Sequence, residues 1–388
     1  MRILVAHNVD RRRTGGMSRI MEIIHDEVAA QGHIVEWLSA EDVPPRWRGS
    51  MVRAAFPWLV YQKARAAARA GVPYDIVNVH EPHGALVALA QKRVTRHGVV
   101  VTSHGVERRA WELALEERRL GRGGPGLRTR VVYPTTSLWQ SHLALTCARL
   151  VLTLSDQDRE YLTTHLGVPA SRIGRMRPGA DQAFAAPATR RTYASADRLL
   201  FAGTWRHNKG IVDLVEAFTT LARRHRTLSL TVLGAGVAPG VVADAFPGDV
   251  RGRVSTIPNA DDCGAVATLE RADIFVLPSL FEGTPLTLIE AMMSGLPIVA
   301  TATCGIKDAV EADRSGLLIP TRSPAALDAA VERLLASRPL RESLGRQAHA
   351  RAQREFTWPK VAREVLGAYQ RLMHQDLRQA SVAGSAAG

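Results

Sequence analysis

Short apolar runs alternate with helix-period stretches along this chain, and the alternation runs through once and then begins again. RILVAHN opens it, followed by the polar loop RRRTGG and the amphipathic pattern MSRIMEIIHDEVAAQG, closed by Gly32. HIVEWL, DIVNVH, GVVVTSH and RLVLTLS come next, separated by further helical patterns. Strands that alternate with helices pair in parallel, and helices then cover both faces of the sheet, so this grammar predicts a doubly wound α/β domain. The stretch PGADQAFAAPATRRTYASAD has no usable periodicity. After it the grammar restarts with RLLFAGTW, a helix over 211–224, LSLTVLGAG, ADIFVLPS and LPIVATATCG. The expectation is two Rossmann-like domains, 1–183 and 198–355, joined by a linker over 184–197. A helix over 356–378 is expected to return to the first domain, and 379–388 to form a disordered tail. Facing strand ends would form a cleft, where ligands of open α/β sheets bind.

Bulk properties exclude several classes. At 388 residues about two domains are expected, and 46% hydrophobic with 22% charged residues is a globular balance. No run of 18 or more apolar residues occurs, which argues against a spanning helix, and MRILVAHNVDRRR is charged too soon for a signal peptide. Three widely spaced cysteines suggest neither a disulfide framework nor a zinc site, and a cytoplasmic location is expected. The net charge of +13 is uneven: residues 1–197 hold 28 basic against 18 acidic side chains, and residues 198–388 hold 22 against 19. Stretches 43–74 and 118–155 contain no acid and six basic residues each. An anionic partner is one reading; an arginine-rich composition, with only five lysines among fifty basic residues, is the other. No zinc spacing or aromatic-interleaved basic module supports nucleic acid as the partner. No G-x-G-x-x-G follows the first strand, so a dehydrogenase-type dinucleotide site is poorly supported.

The densest chemistry lies in FEGTPLTLIEAM, residues 281–292, which directly follows the strand-like DIFVLPSL. Thr284 suits an N-cap and Pro285 the first helical position, with Gly295 as the stop. Such a helix start presents amides and partial positive charge at Leu286 and Thr287, a phosphate site. Glu290 lies five residues beyond Pro285, roughly 7–8 Å along the axis, a nucleoside's reach from a bound phosphate. There a carboxylate can accept both ribose hydroxyls. Glu282 stands on the other side, where a sugar would lie. Two acids eight positions apart can equally be solvated; the strand–turn–Thr-Pro–helix frame is what gives the pair weight.

FEGTPLTLIEAMMSGLPIVATATCGIKDAV resembles the donor-binding signature of GT-B retaining glycosyltransferases, family 4 in particular. GGMSRIMEIIHDEVAAQGH is similar to that family's N-terminal Gly-Gly loop and helix, with Gly15 and Gly16. VVVTSHGVE resembles its histidine loop, FAGTWRHNKGIVDLVEAF its basic phosphate loop, and SGLLIP its late turn. The resemblance implies a GT-B fold, two doubly wound domains facing across a cleft, and a role for each matching residue. Glu290 holds the ribose, Glu282 lies near the transferred sugar, and the backbone of Gly283, Thr284, Pro285, Leu286 and Thr287 meets sugar and diphosphate. Lys209 neutralises the diphosphate. Thr204 stands where the family has arginine after the glycine matching Gly203, and Arg206 is the substitute. The family's Gly-Gly appears as Cys304-Gly305. His104 hydrogen-bonds the sugar near the reacting centre. His80 and His83, in HEPH, are read as a loop edge, not a metal site.

The implied function is retaining transfer from a nucleotide-diphosphate sugar to an acceptor hydroxyl, with no metal and no cofactor. A sugar-nucleotide epimerase, a phosphorylase or a non-catalytic sugar-nucleotide-binding regulator could share the fold. The first basic stretch mixes Trp47, Phe56, Trp58 and Tyr61 with Arg46, Arg48 and Arg53, the composition of an interfacial segment. Two short helices broken at Pro57 are expected there, at an anionic membrane surface that supplies a lipid-linked or otherwise anionic acceptor for envelope polysaccharide or glycolipid. The opposing expectation is a soluble enzyme whose aromatics pack in its own core.

Overall fold

The computed structural model describes residues 1–11, 16–47 and 52–385. Gly15, Arg48 and the side chain of Arg46 lie outside the described part. The chain forms two compact units, one of 1–177 with 358 onward, the other of 178–357. No helix among the described residues is long and apolar enough to cross a membrane.

The first unit carries a six-stranded parallel sheet: β1 (Arg2–Ala6), β2 (Ile34–Leu38), β3 (Tyr74–His80), β4 (Thr95–Ser103), β5 (Leu150–Thr153) and β6 (Ile173–Arg175), in the order β2-β1-β3-β4-β5-β6. The strand order reverses direction between β1 and β3. Tyr74–His80 is buried along its whole length, as a strand covered on both faces must be. The helix Trp358–Ser385 packs on the helix Gly16–Ala30. Its Tyr369 is fully buried, and the hydroxyl joins His25 Nε2 at 3.0 Å and the Asn78 amide.

The second unit carries β7 (Arg198–Ala202), β8 (Ser229–Leu233), β9 (Val254–Ile257), β10 (Ile274–Leu277), β11 (Ile298–Thr301) and β12 (Leu317–Ile319), ordered β12-β11-β10-β7-β8-β9 and again parallel. Here the order turns between β7 and β10, the dinucleotide-fold arrangement. The helix Ile211–Arg224 forms where its apolar spacing places it.

Four expectations are corrected. The boundary falls after Arg177, and 184–197 is part of the second unit, not a free linker. Arg191 holds it there by donating to the carbonyls of Leu269, Ala272 and Ser294, which end two helices, and the Tyr193 hydroxyl donates to the Gly295 carbonyl. Pro57 sits inside one continuous helix, Val52–Arg69. So near the helix start its absent N–H removes one bond, to the Arg53 carbonyl. In that helix Phe56 is fully buried, Tyr61 and the preceding Trp47 pack against the core, and Trp58 is exposed. The chain stays helical through Ser385, so 379–385 extends the last helix and is not a tail.

Candidate functional site

The turn of strand order in the second unit brings two separate motifs together. β7 and β10 are neighbours, so the segments leaving their carboxyl ends emerge side by side. After β7 the chain makes a short 3-10 turn, His207–Lys209, and Gly210 takes φ +70°. A Cβ on Gly210 would overlap the Pro278 carbonyl, so this turn can lie against the end of β10 only with glycine there. The Leu280 amide donates to the Asn208 carbonyl at 2.8 Å, tying the two loops.

Within this junction Lys209 Nζ is ion-paired to Glu282 Oε1, both largely covered. Glu282 also accepts from Ser279 Oγ at 3.1 Å. The helix Leu286–Met293 starts beside them, and Thr287 Oγ1 donates to the Ala202 carbonyl at the end of β7 at 3.0 Å. Gly203 continues from there, its amide bonded to the Leu233 carbonyl at 2.9 Å. Arg206 is exposed, and no carboxylate among the described residues pairs with it.

The helix start departs from the sequence expectation. Pro285, not Thr284, occupies the N-cap, with φ −66° and ψ 128°, and no side chain caps the helix. Thr284 is instead buried against Gly305. A Cβ on Gly305 would overlap both the Gly283 carbonyl and the Thr284 hydroxyl. Cys304, at φ +42°, turns the chain so that Gly305 makes this approach. The Leu288 amide donates to the Pro285 carbonyl at 3.2 Å, and the Leu286 and Thr287 amides before it are left without a side-chain cap, which suits an incoming oxyanion. Glu290 lies one turn into the same helix, 5% exposed.

In the first unit the equivalent sheet edge is a histidine cluster. His7 follows β1, His80 ends β3 and His104 follows β4, so all three stand at or next to the turn of strand order. His104 Nε2 lies 3.1 Å from His80 Nδ1 with the rings stacked at 4.8 Å, and His7 meets His80 edge-on at 5.7 Å. Burial pushes the His104 imidazole down to about 3, reinforced by His7, and holds His80 well below its usual range. His104 is therefore neutral at pH 7, a hydrogen-bonding group and not a cation. Next to it, burial and the Glu107 carboxylate push Glu81 up to about 8. Glu81 accepts from the Glu107 amide at 3.0 Å and from the Ser141 hydroxyl. Gly16 opens the helix Gly16–Ala30 in this unit.

Sequence reasoning picked out His104 and passed over His7; the available signal was a histidine at the ends of three apolar strands. His80, read as a loop edge, is the buried last residue of β3. No group of three or more His, Cys, Asp or Glu side chains among the described residues is placed to hold a metal.

Residues 196–337 match the model of glycosyl transferases group 1, and 14–184 that of glycosyltransferase family 4. The chain is 33% identical over 238 residues to a D-inositol 3-phosphate glycosyltransferase of Pseudarthrobacter chlorophenolicus, covering 57% of this chain and 55% of that one. It is 30% identical over 220 residues to glycogen synthase of Mycobacterium tuberculosis, covering 56% and 53%. The chain thus spans about half the length of these two relatives. A phosphatidyl-myo-inositol mannosyltransferase of Mycobacterium leprae is 24% identical over 361 residues, 92% of this chain and 89% of that one. Among solved structures, a sucrose-phosphate synthase from Thermosynechococcus elongatus superposes with TM-score 0.75 at 21% identity, covering 97% and 100%. Anabaena HepE in complex with UDP-glucose does so with TM-score 0.68 at 15% identity, covering 96% and 100%. At these identities the structural likeness concerns the fold, which is GT-B.

Proposed function

We propose, from the premise that the chain belongs to the group 1, family 4 glycosyltransferases, that it moves a sugar from a nucleotide-diphosphate sugar to an acceptor hydroxyl with retention and without a metal. The observation that carries this reading is the Lys209–Glu282 pair beside an uncapped helix start, at the turn of strand order in the second unit. When the anomeric C–O bond breaks, its electron pair leaves with the nucleoside diphosphate. Lys209 and the first-turn amides stabilise that growing charge, with the exposed Arg206 as a second cation. The acceptor oxygen bonds to the anomeric carbon, and its proton passes to the departing diphosphate. Glu290 binds the ribose, Glu282 a sugar hydroxyl, and His104, neutral, hydrogen-bonds the reacting sugar.

The names of relatives support the substrate classes. One acts on an inositol phosphate and another on a phosphatidylinositol, and HepE was solved with UDP-glucose. We carry over a nucleoside diphosphate sugar as donor and a lipid-linked or otherwise anionic acceptor of envelope glycan at the cytoplasmic face. Thermal melts against a panel of nucleotide sugars test the donor, since bound ligand raises apparent stability by mass action. One nucleotide sugar should raise the melting temperature, and Glu290→Gln should weaken its diphosphate by about 1–3 kcal/mol. Turnover should survive EDTA, and the product should keep the donor's anomeric configuration by NMR. A folded Glu290→Gln protein with unchanged affinity, or activity restored only by a divalent ion, would contradict the proposal.

A further inference from the structure

Exposed large apolar side chains concentrate in one part of the first unit. Leu120, Leu127, Val131, Val132 and Trp139 all lie within residues 120–139, Leu127 at 70% and Val131 at 62% exposure. Their centre is the helix Leu127–Tyr133, which has no buried residue. The chain continues helical from there without a break, through a π turn at Pro134–Leu138 into the helix Trp139–Cys147, whose buried Ser141, Ala144 and Leu145 fix the far end and leave the first turns standing out. Tyr133 is the anchor: its ring stacks on Trp111 at 4.9 Å, and its hydroxyl donates to Glu107.

The surroundings of this ridge are cationic. It lies in the acid-free stretch 118–155. Arg118, Arg119, Arg128 and Arg130 are exposed, and no carboxylate among the described residues pairs with any of them. Behind the helix is a cavity of about 500 Å³ lined in part by Arg53, Arg128 and Gln140. The Gln140 Oε1 atom is buried without a hydrogen-bond partner. Apolar side chains facing water, interspersed along the chain with exposed guanidiniums and followed by an exposed tryptophan, match the interface of an anionic bilayer. Its acyl boundary takes the ridge and its phosphates take the arginines. A second copy of this surface would set arginine against arginine, which opposes self-association.

We propose that the helix Leu127–Tyr133 and its flanking arginines dock the protein on an anionic lipid bilayer. This places the lipid contact on the second basic stretch, and not on the first, whose aromatics largely serve the core. It is independent of the reaction proposed above and is tested without any donor.

Co-sedimentation with vesicles of phosphatidylcholine alone and of phosphatidylcholine with phosphatidylglycerol tests it on the full chain. The anionic vesicles should carry down at least tenfold more protein, and raised salt should weaken binding by screening. Leu127→Asp with Val131→Asp, and separately Arg128→Glu with Arg130→Glu, should each reduce binding at least tenfold. Trp58→Ala should leave it within twofold. These positions are exposed, so unchanged melting temperatures are expected. Equal binding to both vesicle types, parental binding by both double variants, or loss confined to Trp58→Ala would overturn the proposal. So would a parent dimer that Leu127→Asp with Val131→Asp converts to monomer.

Discussion

Lys209 and Glu282 occupy each other where a diphosphate and a sugar are proposed to bind. Donor entry must then exchange a carboxylate for phosphate oxygens around the same ammonium. Two variants separate the partners. Lys209→Ala should lower both nucleoside diphosphate affinity and turnover at least tenfold, about 1.4 kcal/mol. Glu282→Gln should keep or improve that affinity, because the competing charge is gone, while turnover falls. Calorimetric titration with parallel kinetics reads both; undiminished affinity in Lys209→Ala would make the pair structural. His104 is a different case, since its ring stacks on His80. His104→Ala should leave diphosphate affinity unchanged and cut turnover at least tenfold. Wild-type turnover in the folded variant would return the ring to a packing role.

At the scale of elements, the approach of the Cys304-Gly305 turn to the Gly283-Thr284 loop decides how the helix Leu286–Met293 begins. Gly305→Ala should push the loop away, at a cost of about 1–3 kcal/mol in stability, and weaken diphosphate binding with it. Chemical denaturation and titration check this, and an alanine accommodated at no cost would show that the loop can shift. The contact was only half legible in the sequence. The motif around Glu282 and Glu290 is contiguous, so period and spacing reveal the strand, the turn and the helix. What holds Thr284 away from the cap is a backbone brought in from beyond the next strand, and no local pattern encodes that. For the same reason the segment around Arg191 read as a linker, since its acceptors are carbonyls some 80 to 100 positions away. His7, His80 and His104 meet because the strand order puts β1, β3 and β4 together; period identifies each strand and says nothing of their order.

For the whole molecule, acid should act unequally on the two units. Burial lowers His7, His25, His80, His83 and His104, all in the first unit, with His25 and His83 at about 4. Their unfolded forms take up protons near 6.5 while the folded forms do not, so the unfolded state binds more protons across that interval. The contribution of these histidines is therefore intact above about pH 6.5 and falls as pH drops toward 4, by about 1.4 kcal/mol per pH unit for each histidine fully within its window. Glu81, pushed up to about 8, takes its proton first in the folded state and offsets about one of the five. Hydrogen exchange followed by mass spectrometry from pH 7 to 4.5 should show residues of the first unit losing protection before those of 178–357. Simultaneous loss in both units would mean that the histidines do not govern acid sensitivity.

The helix Trp358–Ser385 belongs to the first unit although the whole second unit is encoded before it. On the ribosome, residues 1–177 emerge with His25 and Asn78 still lacking the Tyr369 hydroxyl that completes their network. The intervening residues, 178–357, take on the order of ten to forty seconds to synthesise at 5–20 residues per second. The second unit is complete once Thr357 has been added, whereas the first must wait for the last helix to be translated. The half of the protein made first is thus the half finished last, and during that interval its exposed flank is what a chaperone would meet.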